Sequence, residues 1–309
     1  MHPFAQRFSE SVASLGEEKL ILSLRRWLGS ASPRTPFGIG DDCAVLPASR
    51  GRQLITVDPV IYGRHFDDSI PPRAVGAKLL KRNLSDLAAM GGRPVAAVLA
   101  LTLDARTDLR WLESFYRGLA ACARDYKVAV VGGDIAQADG IIAASLTLLG
   151  EATGPRILAR TGARQDDAIY VTGQLGGSLS TGHHHTFKPR LPEGAWLARR
   201  TEITAMMDVS DGLAKDLHSI TPPRSAPALD PASIPVRRGA NLRAALTDGE
   251  DYELVFALAS HADSAAFERA WAHAFPRTRL SRIGRFVSAR RLPADALDLS
   301  HLHGYEHLR

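Results

Sequence analysis

The sequence is poor in cysteine and contains no apolar run long enough for a membrane span. Cys43 and Cys122 are its only cysteines, which argues against a disulfide framework and is typical of a protein in the reducing cytoplasm. The longest apolar runs, residues 95–103 and 141–149, have about half the length that a membrane span needs. The N-terminal stretch MHPFAQRFSE lacks the basic-then-apolar pattern of a signal peptide. We therefore predict a cytoplasmic protein with no membrane partner.

Motifs of several large enzyme and binding classes are also absent. No segment reads G-x-x-x-x-G-K-[ST], and no H-R-D or D-F-G set occurs, so neither a P-loop enzyme nor a protein kinase is indicated. The basic residues are scattered without aromatic interleaving, which argues against nucleic acid as a partner. The net charge of +5 and the pI near 9.4 are compatible with acidic small-molecule ligands such as phosphates.

The length of 309 residues, with 45% hydrophobic and 23% charged residues, is enough for two globular domains. Segments typical of strands alternate with segments typical of helices, which predicts an α/β (α+β) protein, although neighbouring strands could equally pair antiparallel. A change to polar, basic residues around Gly154 and Pro155 predicts a boundary between residues 150 and 162. We assign residues 1–150 to an N-terminal domain and residues 151–309 to a C-terminal domain.

The chain is organised around residues 75–92, VGAKLLKRNLSDLAAMGG. Leu80, Leu84, Leu87 and Ala88 recur at the spacing of one apolar helix face. Asp86 lies among small apolar residues, and a carboxylate buried there would require a cation or hydrogen-bond donors. The helix alone leaves open whether Asp86 is such a residue or part of a solvated face.

Other acidic residues end hydrophobic strands or follow the glycines beside them. They are Asp41 and Asp42 in GIGDDCAVL, Asp58 in QLITVD, Asp134 in VVGGD, Asp208 and Asp211 in MMDVSDGL, and Glu250 in DGEDYEL. Each alone could be a turn residue or a helix N-cap. Together they could not all ionise near one another without cations. Oxygen donors without a matching His or Cys set indicate Mg²⁺, whose shell usually includes substrate phosphates. The residues alone therefore predict a magnesium-dependent, nucleotide-using enzyme with an unknown acceptor.

Longer motifs resemble those of the thiamine-monophosphate kinase family, which belongs with aminoimidazole-ribonucleotide synthetase and selenophosphate synthetase. In chain order they are GIGDDCAVL, TVDPVIYGRHF, KLLKRNLSDLAAMGGRP, VVGGD, LARTGARQDDAIYVTGQLGGS, MMDVSDGLAKDL, DGEDYELVF and GYEHL. The resemblance implies ATP-dependent phosphorylation of thiamine phosphate to thiamine diphosphate, by magnesium-assisted in-line transfer of the γ-phosphoryl group. It also implies a two-domain aminoimidazole-ribonucleotide-synthetase-like fold. In that fold the N-terminal sheet forms a barrel in a homodimer, and the C-terminal α/β domain completes the substrate cleft.

The same resemblance implies roles for individual residues. Several Mg²⁺ ions would be held by Asp42, Thr56, Asp58, Asp86, Asp134, Asp208 and Asp211. ATP would contact Gly133, Asp134, Arg160 and Ser210, and thiamine phosphate would contact His65, Glu250 and Tyr305. Tyr305 offers an aromatic face to the cationic thiazolium. The residues expected to matter most for catalysis are Asp42, Asp86 and Asp211.

Two positions depart from the family pattern. Val57 stands where Ser or Thr is common, and Ile135 stands where Thr is usual, so each removes a potential hydroxyl ligand. We expect altered metal affinity rather than loss of activity. The alternatives are another ATP-using enzyme of the superfamily and a non-catalytic nucleotide-binding relative. The absence of cysteine before residue 38 argues against selenophosphate synthetase, and the final Arg309 argues against the hydrogenase-maturation relative.

Two further motifs resemble ligand sites but have simpler explanations. The consecutive histidines 183–185 cannot all face one ion, so we do not predict a metal site there. The glycine-rich turn at residues 172–178, TGQLGGS, is interpreted as a connection between a strand and a helix rather than as a phosphate loop.

Overall fold

The computed structural model describes residues 1–34, 37–39, 43–46, 48–49, 51–293, 296–299 and 301–305. The chain divides into two compact units, Met1–Leu84 with Pro94–Glu151 and Ser85–Arg93 with Ala152–Arg309. The elements of its first half are α1 (Glu17–Leu28), β1 (Gln53–Ile61), α2 (Pro72–Ala89), β2 (Gly92–Leu103), α3 (Leu109–Asp125), β3 (Ala129–Gln137) and β4 (Ile142–Ala152). Those of its second half are β5 (Ala168–Thr172), α4 (His183–Thr186), α5 (Leu191–Leu197), β6 (Ile203–Val209), α6 (Leu213–Ile220), β7 (Ser225–Leu229), α7 (Leu242–Thr247), β8 (Glu253–Leu258), α8 (Ser264–Ala274) and β9 (Leu280–Ser288). Across the described ranges, none of the helices has the length and apolar character that a membrane crossing requires.

The first unit contains a mixed four-stranded sheet of order β1-β4-β2-β3. Strand β1 pairs antiparallel with β4, whereas β2 and β3, which are joined through α3, pair in parallel. Strand β4 has every second residue buried from Ile142 to Gly150, as expected of a sheet with one face on the core. Trp111 and Phe115 of α3 line a small apolar gap with Val60 and Ala144, so α3 packs on that buried face.

Helix α2 has the apolar face that its periodicity predicts, because Leu80, Leu84, Leu87 and Ala88 are all buried. The backbones of α2 and α3 approach each other closely, because each helix has a glycine at the contact. A Cβ atom on Gly76 would lie 2.0 Å from the Phe115 carbonyl oxygen, and one on Gly118 would lie 1.9 Å from the Arg73 carbonyl oxygen. Any larger residue at either position would therefore force the two helices apart.

The second unit contains a five-stranded sheet of order β6-β8-β5-β9-β7, in which β5 pairs antiparallel with both β8 and β9. Both faces of this sheet are covered. Ile169 and Val171 belong to a core that includes Leu213 and Leu217 of α6. Ala168 and Tyr170 belong to a second core that includes residues of α5 and α8. Because it is buried on both sides, β5 is apolar at every position from Ala168 to Val171 rather than at every second position.

The structure confirms a mixed α/β fold and differs from the sequence-based expectations in two segments. The strand expected to end at the Gly132-Gly133-Asp134 turn instead continues to Gln137, because β3 keeps its parallel pairing with β2 to the end of that strand. The proline-rich segment 221–235 contains β7, although prolines are more typical of loops. Pro227 is tolerated there because β7 lies at the edge of its sheet and pairs only with β9.

The turn after β2 is fixed by the buried carboxylate of Asp104. Its oxygens accept hydrogen bonds from the Arg106 backbone N–H at 2.7 Å, from Arg106 Nε at 3.0 Å and Nη2 at 2.9 Å, and from the Gly140 N–H at 2.6 Å. The side-chain hydrogen bonds from Arg106 are the main reason that the pKa of Asp104 is lowered. This carboxylate therefore joins the β2–α3 turn to the β3–β4 turn.

We predict that Asp104→Asn lowers the free energy of unfolding by about 2 kcal/mol at pH 7, because charge-assisted hydrogen bonds are lost. The ionised carboxylate stabilises the fold above its ordinary pKa, and this contribution is lost as the pH falls through the lowered pKa. The difference between the two proteins should therefore shrink progressively below about pH 4. Urea unfolding over a pH series measures it. Asp139→Asn, at an exposed aspartate in the neighbouring turn, is the matched control. A difference that stays constant with pH would contradict the role of the charge.

Candidate active site

The first unit holds two of the predicted ligands on one face of β1. Thr56 and Asp58 lie on the same side of the strand as the buried Leu54 and Val60, whereas Val57 lies on the opposite side. Asp58 Oδ1 accepts a hydrogen bond from Arg82 Nη2 at 3.2 Å. The hydroxyl that Val57 lacks would therefore not have stood beside the Asp58 carboxylate.

His65 follows β1 in a tight turn that a buried lysine holds. The backbone N–H of Ile61 donates to His65 Nδ1 at 3.1 Å. The fully buried Lys78 of α2 donates from Nζ to the His65 carbonyl oxygen at 2.9 Å. His65, which is predicted to contact thiamine phosphate, is thus held by its own turn and by the Lys78 ammonium group of α2.

Gly133 and Asp134 border a cavity of about 430 Å³ in the first unit. The apolar part of its wall comes from Ile21 and Leu24 of α1 and from Tyr116 of α3. The sequence alone does not reveal this role of Tyr116, because a helix period does not distinguish a ring at a cavity from a ring in a core. Burial raises the pKa of the Tyr116 hydroxyl, so the ring stays neutral.

The last turn of α2 belongs to the second unit and contributes Ser85 and Asp86. Ser85 Oγ donates to Asp208 Oδ2 at 2.7 Å, and the Asp208 carboxylate is almost completely buried at the end of β6. Asp86, the next residue of α2, is half-buried. The last turn of α2 and the end of β6 therefore meet in the folded protein.

Asp216 of α6 holds the turn that carries Ser210 and Asp211 by hydrogen bonds. Asp216 Oδ2 accepts hydrogen bonds from the backbone N–H groups of Ser210 at 3.0 Å and Asp211 at 3.1 Å. Burial raises the pKa of Asp216 to about 7, although the two amides favour its charged form. Asp216 thus orients the turn without being one of the predicted ligands.

Glu250 lies on a strained loop that is hydrogen-bonded to the same turn. The Glu250 N–H donates to the Ser210 carbonyl oxygen at 2.7 Å, and the Tyr252 N–H donates to the Val209 carbonyl oxygen at 2.8 Å. Glu250 and Tyr252 both have φ of 52°, a left-handed conformation that is rare for residues other than glycine. His184 Nδ1 lies 3.5 Å from Glu250 Oε2. The predicted nucleotide and acceptor residues of this unit therefore belong to two joined loops.

The glycine-rich turn at 172–178 supports that loop. The Gly176 N–H donates to both oxygens of Asp251, at 3.0 and 2.9 Å, and the Gly177 N–H donates to Asp248 at 2.8 Å. Ser178 Oγ donates to the Gly249 carbonyl oxygen at 2.6 Å. These amides bind side chains of the protein itself, which supports the interpretation as a connection rather than a phosphate loop.

Tyr305 is joined to Asp211 by main-chain and side-chain contacts. Its N–H donates to the Asp211 carbonyl oxygen at 2.9 Å. Lys215 Nζ donates both to Asp211 Oδ2 at 2.6 Å and to the Tyr305 carbonyl oxygen at 2.5 Å. The Tyr305 ring is exposed. The structure therefore brings Ser210, Asp211, Glu250 and Tyr305 together through direct hydrogen bonds.

Three further predicted residues are exposed or lie outside the described residues. Asp134 is exposed on β3, and Arg160 is exposed in the segment between β4 and β5. Asp42, like Asp41, lies outside the described residues. Within the described ranges, no three His, Cys, Asp or Glu side chains stand close enough together to hold an ion. The donors that can be described are carboxylates and one threonine hydroxyl, and this oxygen-only chemistry fits Mg²⁺.

Three comparisons with known proteins identify relatives of this chain. The family described as AIR synthase related protein, N-terminal domain, matches residues 40–152. Thiamine-monophosphate kinase of Rhodopirellula baltica is 32% identical over 311 aligned residues, covering 94% of this chain and 97% of that protein. The crystal structure of thiamine-monophosphate kinase from Stenotrophomonas maltophilia superposes with a TM-score of 0.73 at 30% identity, covering 86% and 93% of the two chains. AaThiL complexed with AMPPCP and TMP has a TM-score of 0.67 at 27% identity, with 91% and 94% covered.

We predict that Asp251→Ala destabilises the second unit by about 3–5 kcal/mol, because it leaves the partly buried Arg237 guanidinium without its carboxylate and the Gly176 N–H without its acceptor. Asp248→Ala is the matched control, since Asp248 accepts a hydrogen bond from the next amide of the same turn but is exposed. Its cost should be about 1 kcal/mol or less. Urea unfolding of both variants measures the two costs. Equal costs would show that burial of the Asp251–Arg237 pair is not what holds the loop.

Proposed function

Because the chain belongs to the thiamine-monophosphate kinase family and is therefore a kinase, we propose that it transfers the γ-phosphoryl group of ATP to thiamine phosphate. The product is thiamine diphosphate. In this proposal the first unit forms the dimer and contributes residues for ATP and Mg²⁺, and the second unit contributes further residues for ATP, Mg²⁺ and the acceptor. The observation that carries the proposal is the hydrogen-bonded set of Ser210, Asp211, Glu250 and Tyr305. Residues with implied roles toward nucleotide, metal and acceptor, separated by up to 95 positions in the sequence, are joined there.

The cavity beside Gly133 and Asp134 supports a nucleotide site in the first unit. Its volume of about 430 Å³ and its apolar wall suit a nucleotide base. Gly133 and Asp134 border this cavity, so a base inside it would leave the phosphates near the exposed Asp134. Arg160 and Ser210 complete the proposed set of ATP contacts.

Several Mg²⁺ ions would be held by Asp42, Thr56, Asp58, Asp86, Asp134, Asp208 and Asp211. Bound there, Mg²⁺ would offset negative charge on the phosphates of both substrates. The chain's own residues orient these donors. Ser85 fixes the Asp208 carboxylate by a 2.7 Å hydrogen bond, and Asp216 fixes the main chain of Asp211.

The acceptor chemistry explains why the proposed site contains so few acid–base groups. The phosphate of the acceptor has a second pKa near 6, so it is mostly a dianion at neutral pH and requires no general base. The obstacle is repulsion between two anions, which is about 4 kcal/mol for each pair of unit charges 4 Å apart at an effective dielectric constant of 20. An in-line transfer therefore depends on cations and on alignment. His65 and Glu250 would position the acceptor, and the exposed ring of Tyr305 would face its thiazolium.

The outer face of the first unit's sheet supports the proposed dimer. Ile55 and Val57 of β1 are 70% and 60% exposed, and Val98 of β2 is 40% exposed. These apolar side chains lie on the sheet face opposite to the buried Leu54 and Val60 of β1 and to the buried Leu99 and Leu101 of β2. A second copy of the chain that packs the same face against this one would bury them and close the two sheets into a barrel.

We predict that the purified protein forms thiamine diphosphate from ATP and thiamine phosphate only when Mg²⁺ is present. Asp86→Asn should lower the turnover number at least about 100-fold while the fold stays intact. The reason is that it removes a carboxylate that is proposed to hold Mg²⁺ for charge compensation at the transferred phosphoryl group. Chromatographic detection of thiamine diphosphate measures both effects. Asp125→Asn, at an exposed aspartate of α3, should leave the rate unchanged.

Two results would contradict these assignments separately. Binding of ATP without any phosphorylation of thiamine phosphate would show that thiamine phosphate is not the acceptor. Other small phosphorylated metabolites would then be tested as acceptors. A near-normal rate of Asp86→Asn at saturating Mg²⁺ would remove Asp86 from the catalytic role while leaving the reaction in place.

We also predict that the protein has twice the 33.3 kDa mass of one chain in solution. Replacing both Ile55 and Val57 with lysine should give monomers, because two charges cannot be buried in an apolar interface. Light scattering after size-exclusion chromatography measures the mass. Leu22→Lys, at an exposed leucine of α1, is the control that should remain dimeric. If the double variant stays dimeric, the dimer must use another surface.

A further inference from the structure

Arg82 of α2 lies almost completely buried against the end of β1. Its Nη2 donates to Asp58 Oδ1 at 3.2 Å, and its Nη1 donates to the Pro59 carbonyl oxygen at 3.0 Å. The side chains of Arg82 and Asp58 are 10% and 25% exposed. The proposed ligand Asp58 is therefore in contact with a cation that the chain itself supplies.

The position of this guanidinium does not depend on Asp58 alone. The Pro59 carbonyl oxygen is a second, uncharged acceptor, and the rigid planar group can satisfy both acceptors at once. Helix α2 is fixed in turn by its close packing on α3 through Gly76 and Gly118. The cation would therefore remain beside Asp58 when the charge of the carboxylate changes.

A divalent ion at Asp58 must compete with this cation. An arginine keeps its charge at every physiological pH, so the competition does not depend on protonation. Because the pair is mostly shielded from water, the repulsion between the guanidinium and an incoming ion is screened less than it would be at the surface. A lone carboxylate shared with an arginine is a poor site for Mg²⁺, which is usually bound through one or two carboxylates together with substrate phosphates.

We propose that Arg82 is a positioning residue that acts as a resident cation at Asp58. In the ligand-free protein it neutralises Asp58 and prevents a divalent ion from binding there. An ion that arrives with ATP brings phosphate oxygens as additional ligands, and it binds despite Arg82. The inference rests on the proposed function only for the role of Asp58 after ATP has bound.

A similar contact in the second unit is weaker. Lys215 Nζ lies 2.6 Å from Asp211 Oδ2, but the two side chains are 36% and 30% exposed. Water screens such a pair, and a flexible ammonium group can move away from the carboxylate without unpacking a helix. The exclusion of ions is therefore expected at Asp58 to a much greater extent than at Asp211.

The test measures Mn²⁺ binding to the ligand-free protein by electron paramagnetic resonance of the free ion, without substrates and without turnover. Arg82→Met should bind one Mn²⁺ at least about tenfold more tightly than the unaltered protein, because a charge in contact with the carboxylate is removed. Adding Asp58→Asn to that variant should abolish the gain. Arg73→Met, which removes an exposed arginine from the first turn of the same helix, should bind Mn²⁺ as the unaltered protein does.

Two outcomes would overturn the proposal. One is unchanged or weaker Mn²⁺ binding by Arg82→Met. The other is loss of a bound Mn²⁺ when Asp58→Asn is introduced into the otherwise unaltered, ligand-free protein, and this second measurement remains available if Arg82→Met does not fold. Neither outcome depends on which acceptor is phosphorylated, so a failure of this inference is distinguishable from a failure of the proposed reaction.

Discussion

A carboxylate that leaves water must be met by a cation or by N–H and O–H donors, and both units of this protein are built around that constraint. In the first unit the Asp104 carboxylate accepts hydrogen bonds from Arg106 and the Gly140 N–H. In the second unit the Asp251 carboxylate accepts hydrogen bonds from Arg237 and the Gly176 N–H. Gly140 and Gly176 lie far along the chain from the carboxylates that they meet. The contact that compensates a charge therefore also fixes a loop.

The candidate site of the second unit depends on such carboxylates without using them as ligands. Asp216 holds the amides of the Ser210–Asp211 turn, and Asp251 anchors the glycine-rich turn to the loop of Glu250. The left-handed backbone of Glu250 is stable only where surrounding contacts over-determine it. Its hydrogen bond to Ser210 is one of those contacts. Strain at the proposed acceptor residue is thus offset by the loop that carries the proposed nucleotide residue.

Helices with a periodic apolar face could be predicted from the sequence. A strand that depends on pairing with a distant strand could not. Helices α1, α2 and α3 bury one face each, and the period of that face is visible in the sequence. Strand β7 is short and contains Pro227, so only its pairing with β9 makes it a strand. The site shows the same division. Motifs identified Asp208, Ser210, Asp211 and Glu250, whereas Asp216 and Asp251 could not be separated from surface acids, because their partners are mostly backbone amides brought close by folding.

Transfer of a phosphoryl group to a phosphate imposes the same constraint on the substrates. Three of the proposed ligands show how the chain meets this constraint before any substrate binds. Asp58 and Asp211 are paired with Arg82 and Lys215, whereas Asp134 is exposed to water. Carboxylates that are already paired or hydrated do not need a metal for the chain to fold, in contrast to a structural metal site, where the binding energy is part of the folding energy. Under the proposed function, such a protein would fold without bound Mg²⁺ and would take up ions together with the nucleotide. Its affinity for ions would then depend on the phosphates of the substrate, so that the negative charges would be compensated when the reaction requires it.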